Sequence, residues 1–106
     1  MEKSWRSLEH YVRHLGQIIW NKTINPERID GVNFDGVAWL SDDEIVLLEI
    51  TEEFNLDKIR TDIAKIAAVK IRFAAQSIVA RAYIVLKDEP TPGMQDIARE
   101  HKIQVV

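Results

Sequence analysis

Apolar side chains recur along this chain at two spacings. Over residues 4–20, Trp5, Leu8, Val12, Leu15 and Ile19 follow one another every three or four positions. That is the period of a helix with one buried face, and Ser4 can cap its first turn. Gly16 is either carried inside this helix or ends it early. Asn25-Pro26 interrupts any regular run, so 21–30 is predicted to be a loop, with room for a short edge strand that the pattern does not place. Residues 32–40 hold Val32, Phe34, Val37, Trp39 and Leu40 and read as a strand. After the polar turn Ser41-Asp42-Asp43, residues 45–51 form a second strand, apolar on both faces except at Glu49 and Thr51. Two strands joined by so short a loop make an antiparallel hairpin. Asn55 can cap a long helix to about residue 76, with Leu56, Ile59, Ile63, Ile66 and Phe73 as its buried stripe. Residues 81–86 are a third strand, and the helix before it is a crossover that makes the flanking strands parallel. Thr91-Pro92 is a cap followed by proline at the first helical position, so a helix runs to about residue 101. Residues 103–106 begin a last strand. The order is α-β-β-α-β-α-β, an α/β domain with a mixed central sheet.

Composition narrows the class. At 106 residues, 46% hydrophobic and 29% charged, the chain is one ordered globular domain. The last strand stops as it begins, which leads to the expectation of the N-terminal part of a longer protein. No apolar run reaches the ~18 residues of a membrane span, and the first residues lack the apolar core of a signal peptide. The expectation is a cytoplasmic protein with no membrane partner. With no cysteine, disulfide frameworks, thiolate zinc sites and cysteine nucleophiles are excluded. The net charge of −3 is unevenly spread: residues 1–28 sum to +2, 29–62 to −8 and 63–106 to +3. An acidic block between basic flanks suits either a cation site or a plain solvated surface.

The hairpin turns this charge into candidate chemistry. With a loop of Ser41–Asp43, Leu40 faces Glu44 and Asp35 faces Glu49. Opposed residues share a face, with Cβ atoms roughly 4.5–5.5 Å apart. Two carboxylates held together within apolar strands are unfavourable unless a cation lies between them. Two carboxylates and a backbone carbonyl are hard oxygen ligands suited to Mg²⁺ or Mn²⁺. Thr51 shares the Glu49 face. The competing reading places Asp35 and Glu49 at a solvent-facing edge, each paired with a lysine.

At these residues the chain resembles the PD-(D/E)XK nuclease superfamily, the restriction-endonuclease-like three-layer α/β/α fold. The likeness covers residues 4–87 and rests on the helix, the strand Gly31-Val32-Asn33-Phe34-Asp35-Gly36, the strand ending Glu49-Ile50-Thr51, and the long helix after it. It implies a nuclease that hydrolyses phosphodiester bonds of nucleic acid, DNA ahead of RNA. Asp35, Glu49 and the Ile50 carbonyl would be metal ligands, and Glu9 of the first helix an added acidic ligand. Lys70, Arg72 and Arg81 would meet phosphates. Glu49-Ile50-Thr51-Glu52-Glu53 followed by Leu56-Asp57-Lys58-Ile59-Arg60 is similar to variants in prokaryotic anti-phage defence proteins.

The pattern departs from the family in two places. Thr51 stands where the family has lysine, and threonine supplies no positive charge near an attacking water. Some members carry that lysine on the following helix. Here Lys58 and Lys65 lie seven residues apart on one face, with Asp62 between them, so either could be the replacement. A surface ion pair of Lys58 with Asp62 is the plainer reading. The family's strand before the aspartate strand is not evident. Two alternatives therefore stand beside the nuclease: a nuclease-like fold that has lost catalysis and serves binding or assembly, and an interaction domain whose acidic hairpin meets a basic partner. A homodimer or an attached partner domain is compatible with cutting both strands. His10 and His14, four apart, have no third ligand at a metal-binding spacing. The three tryptophans suit the core better than base stacking, with Trp39 on the Asp35 face as a candidate wall of the site.

Overall fold

The computed structural model describes residues 4–51 and 55–106. Glu52, Glu53 and the side chain of Trp5 lie outside the described residues. In chain order the elements are α1 (Ser4–Trp20), β1 (Asn25–Ile29), β2 (Val32–Ser41), β3 (Glu44–Thr51), α2 (Leu56–Ala75), β4 (Val79–Leu86), α3 (Pro92–Arg99) and β5 (Ile103–Val105). The five strands form one mixed sheet in the order β1-β2-β3-β4-β5. Its first two pairings are antiparallel and its last two parallel. None of the described helices is long and apolar enough to cross a membrane.

The helices end where their caps dictate. The Asn55 side chain accepts the backbone N–H of Lys58 at 3.0 Å, closing the first turn of α2. Thr91 does the same for Met94 at 3.2 Å, with Pro92 at the first position of α3. Helix α1 runs through Gly16 to Trp20.

Two strand assignments are corrected. Residues 21–30 are not all loop, because Asn25–Ile29 is an edge strand paired to β2. Its residues are mostly exposed, so it carries no apolar alternation. The readable signal is Asp30-Gly31, both at positive φ (51° and 78°), the two-residue turn that joins Ile29 to Val32. The order is thus α-β-β-β-α-β-α-β. In the second hairpin Ser41, not Leu40, faces Glu44, and Leu40 is the extra residue of a bulge. The rest of the expected register is found: Gly36 faces Leu48, Val37 faces Leu47, Ala38 faces Val46 and Trp39 faces Ile45.

The larger core lies between the sheet and the α2–α3 face. Ile59, Ile63, Ile66, Val69 and Phe73 of α2 meet Ile45, Leu47, Ile84 and Phe34, and α3 adds Met94 and Ala98. Burying each of these large side chains is worth about 1.5–3 kcal/mol. Leu56, expected in this stripe, is exposed. On the other face Ile24, Ala38, Val46 and Leu48 form a smaller cluster against Val12 and Trp20 of α1.

Between its pairings with Asn25 and Glu27, β2 moves from Val37 to Phe34, one residue more than β1. This bulge holds Asp35 and Gly36. A Cβ on Gly36 would stand 2.8 Å from Ile24 Cγ2 and 3.1 Å from Leu48 Cδ1. Both neighbours are buried, and Ile24 is stiff at its branch point. Gly36→Ala is therefore expected to lower the unfolding free energy by about 1–3 kcal/mol, read as a fall in the urea midpoint with unchanged slope.

Candidate functional site

The site forms where the β2–β3 ladder stops. Beyond the Gly36–Leu48 pair the two strands are joined by side chains. Asp35 Oδ2 accepts the backbone N–H of Ile50 at 2.7 Å, and Glu49 Oε1 accepts the backbone N–H of Asp35 at 3.3 Å. The two carboxylates that the register brings together are thus placed reciprocally, each on the other strand's backbone. Ile50 presents its N–H to β2. In a strand a residue's C=O points to the same edge, so its carbonyl is on the Asp35 side too.

Glu49 and Thr51 are buried under α2. Lys65, three turns along α2, reaches down to them: its Nζ donates to Glu49 Oε2 at 2.5 Å and to the Asn33 carbonyl at 3.1 Å. It also stands 5.6 Å from the centre of the Phe34 ring. Burial pushes the Glu49 carboxyl up from 4.5 to about 7. The Lys65 hydrogen bond opposes this, and the Asp35 charge adds to it.

Lys58, the other lysine candidate, is taken up two turns earlier, where its Nζ donates to Asp62 Oδ1 at 2.8 Å. Asp62 is fully buried, and its Oδ2 has no hydrogen-bond partner among the described residues. Its charge also bears on Glu49. Sequence reasoning treats Asp62 as half of a surface pair, but the lone polar position on the α2 face that carries Ile59, Ile63 and Ile66 is the signal of a buried carboxylate. Asp35, Glu49 and Asp62, with Lys58 and Lys65, make an alternating cluster of three acids and two ammonium groups under one end of α2.

Other predicted residues lie apart from this cluster. Glu9 binds Arg13 at 3.2 Å, and Arg13 in turn donates to the Asp35 carbonyl at 3.0 Å. Glu9 thus touches the bulge only through an arginine. Among the described residues no three His, Cys, Asp or Glu side chains converge as a ready-made metal cage. Lys70 donates to the Lys102 carbonyl at 2.9 Å, and burial and the Lys102 charge lower its pKa. Arg72 pairs with Asp30 at 3.6 Å. Arg81 pairs with Glu44 on the sheet face opposite Glu49. These three cations do not form one patch beside the carboxylates. His10 and His14 are exposed. Trp39 has the expected face but packs edge-on against Phe73 at 5.8 Å, eight residues past Lys65 and roughly 12 Å along the helix, so it does not wall the site.

Comparison with protein families, with curated proteins and with solved structures gives no match to this chain. The functional argument therefore rests on the cluster itself.

Proposed function

We propose that this protein is a metal-dependent nuclease of the restriction-endonuclease-like, PD-(D/E)XK type, hydrolysing phosphodiester bonds of nucleic acid, DNA ahead of RNA. The observation that carries the reading is the Asp35–Glu49 pair at the end of the hairpin with the Lys65 ammonium on Glu49. It is the arrangement in which a lysine from the following helix stands in for the one that Thr51 replaces.

The donor set fits a hard cation. A carboxylate offers about four lone-pair sites. Asp35 uses one through Oδ2, and its Oδ1 accepts no hydrogen bond from the described residues. Asp35, Glu49 and the Ile50 carbonyl would hold Mg²⁺ or Mn²⁺. Such an ion supplies a bound water of lowered pKa and neutralises charge building on phosphorus. The chain's own residues do the rest. Lys65 favours the ionised form of Glu49 against its burial and keeps a positive charge at the point of attack. Asp62 fixes Lys58 on the next turn, within the same cluster. Thr51 offers a hydroxyl two residues beyond Glu49, where it can orient water. Action in prokaryotic anti-phage defence remains part of this proposal through the sequence resemblance.

A second reading has its own support. Thr51 carries no charge and Lys65 is engaged by Glu49, so the same geometry suits a nuclease-like module that binds nucleic acid or assembles without cutting. Cleavage assays on supercoiled plasmid, single-stranded DNA and RNA, each with Mg²⁺, Mn²⁺ or EDTA, separate the two. The nuclease reading expects cutting that needs the metal and is abolished by EDTA. Absence of cutting on all three, with no shift in melting temperature on adding either metal, sinks it.

A further inference from the structure

The two faces of the sheet are covered unequally. Helices α2 and α3 lie side by side over one face, while α1 alone occupies the other, over β2 and β3. Beside α1 an apolar groove of about 370 Å³ is left open along β4 and at Val106, the residue after β5. Tyr83, Val85 and Val106 floor it, and Leu15 and Ile19 of α1 form its wall. No Lys, Arg, Asp or Glu lines it, so it is no place for a phosphate backbone or a strongly charged peptide.

Helix α1 is apolar well beyond the stripe it buries. Tyr11 is 62% exposed, Leu15 39%, Ile18 65% and Ile19 71%. Positions 11, 15, 18 and 19 fall on one flank of a helix, and that flank runs without a break into the groove. Taking roughly 200 Å² for a large apolar side chain in the open, these four and Val106, 54% exposed, present about 600 Å² of apolar surface. A monomer's largest patch is roughly 300–600 Å², and a stable interface takes about 800 Å² per partner. With the groove floor added, this face enters the lower part of the range of specific interfaces, roughly 600–1,000 Å² per partner.

We propose that this face is the interface of a two-fold homodimer, in which α1 of each protomer lies beside the other's α1 and over its β4 groove. A helix with an apolar flank, about as long as the 17-residue α1, which spans roughly 25 Å, would cover this flank and groove together. A second copy brings that helix. One isologous contact then covers the ridge and the groove of both protomers, a self-complementarity that no single unrelated helix supplies. The dimer does not depend on the nuclease reading, since α1 and the Glu49 cluster lie on opposite sheet faces.

Sedimentation or light scattering on the full chain at up to about 100 μM tests this. The wild type is expected at twice the 12.2 kDa chain mass. Ile18→Glu, at a position exposed in the protomer, is expected to raise the dissociation constant about 100-fold or more with an unchanged circular dichroism spectrum. Should that variant fail to fold, Tyr11→Lys, near the other end of the flank, gives the same readout. A monomeric wild type over the whole range overturns the proposal. So does a dimer that both charged variants leave intact. Binding of the monomer to neutral phospholipid vesicles without self-association would assign the face to a membrane surface instead.

Discussion

Glu49→Gln removes metal-dependent cleavage by about three orders of magnitude and, near pH 8, leaves a protein more stable than the wild type. The second half of this expectation follows from burial. The Glu49 carboxyl titrates at about 7 in the fold, against 4.5 when exposed, chiefly because its charge is desolvated. A folded-state pKa above the unfolded one means that the native protein holds the proton more tightly. The resulting stability is fully present below about 4.5 and is lost as pH rises through about 7. At one pH unit per 1.36 kcal/mol, the ionised group lowers stability by about 3 kcal/mol above that window.

Glutamine has the shape of the protonated acid and no charge to desolvate. Urea unfolding of the two proteins should therefore agree near pH 4 and diverge near pH 8, with the variant higher by up to about 3 kcal/mol. A metal closes the gap. Saturating Mg²⁺ should raise the wild-type unfolding free energy by about 2.7 kcal/mol at a hundredfold excess over its dissociation constant, and should not move the variant. A variant less stable than wild type near pH 8 without metal would mean that Glu49 and Lys65 are a structural ion pair. That result would remove the main support for a catalytic site.

The pairing behind this prediction was open to a reader of the sequence, and much around it was not. Hairpin arithmetic brings Asp35 to Glu49 because strand alternation leaves few registers once apolar residues must share a face. The same arithmetic misplaces Leu40, since a bulge adds a residue without altering the apolar pattern. Strand β1 was hidden for a related reason: an exposed edge strand has no buried face to write into its sequence, and only the Asp30-Gly31 turn marks it. Periodicity located α1 but not what covers it. Ile19 belongs to the apolar arc by spacing, yet the sheet reaches only the neighbouring half of that arc. The choice between Lys58 and Lys65 was undecidable from spacing, because both lie on the same helix face. Position along the helix decides it. Lys58 sits in the first turn and meets Asp62, whereas Lys65, two turns further on, is within reach of Glu49.

That difference in partner makes Lys65→Met the sharper test of the chemistry. Methionine keeps the length and the apolar stem and removes only the ammonium group. Glu49 then loses both the hydrogen bond and the positive charge that oppose its desolvation, so its pKa rises further above 7. Cleavage should fall about 100-fold, and the acid limb of the pH–rate profile should move to higher pH, because a protonated Glu49 cannot ligate a metal. Lys65→Arg keeps the charge and should return the limb toward its wild-type position. The rate would recover only in part, since a guanidinium is bulkier and holds its donors in a fixed planar fork, unlike the compact ammonium that serves both Glu49 Oε2 and the Asn33 carbonyl. Lys58→Met serves as the control. Its partner is Asp62, so the rate can change while the acid limb stays with Glu49 and Lys65. If instead Lys65→Met keeps both rate and limb and Lys58→Met moves them, the working lysine is the one in the first turn. Asp62, rather than Glu49, would then be the carboxylate it serves.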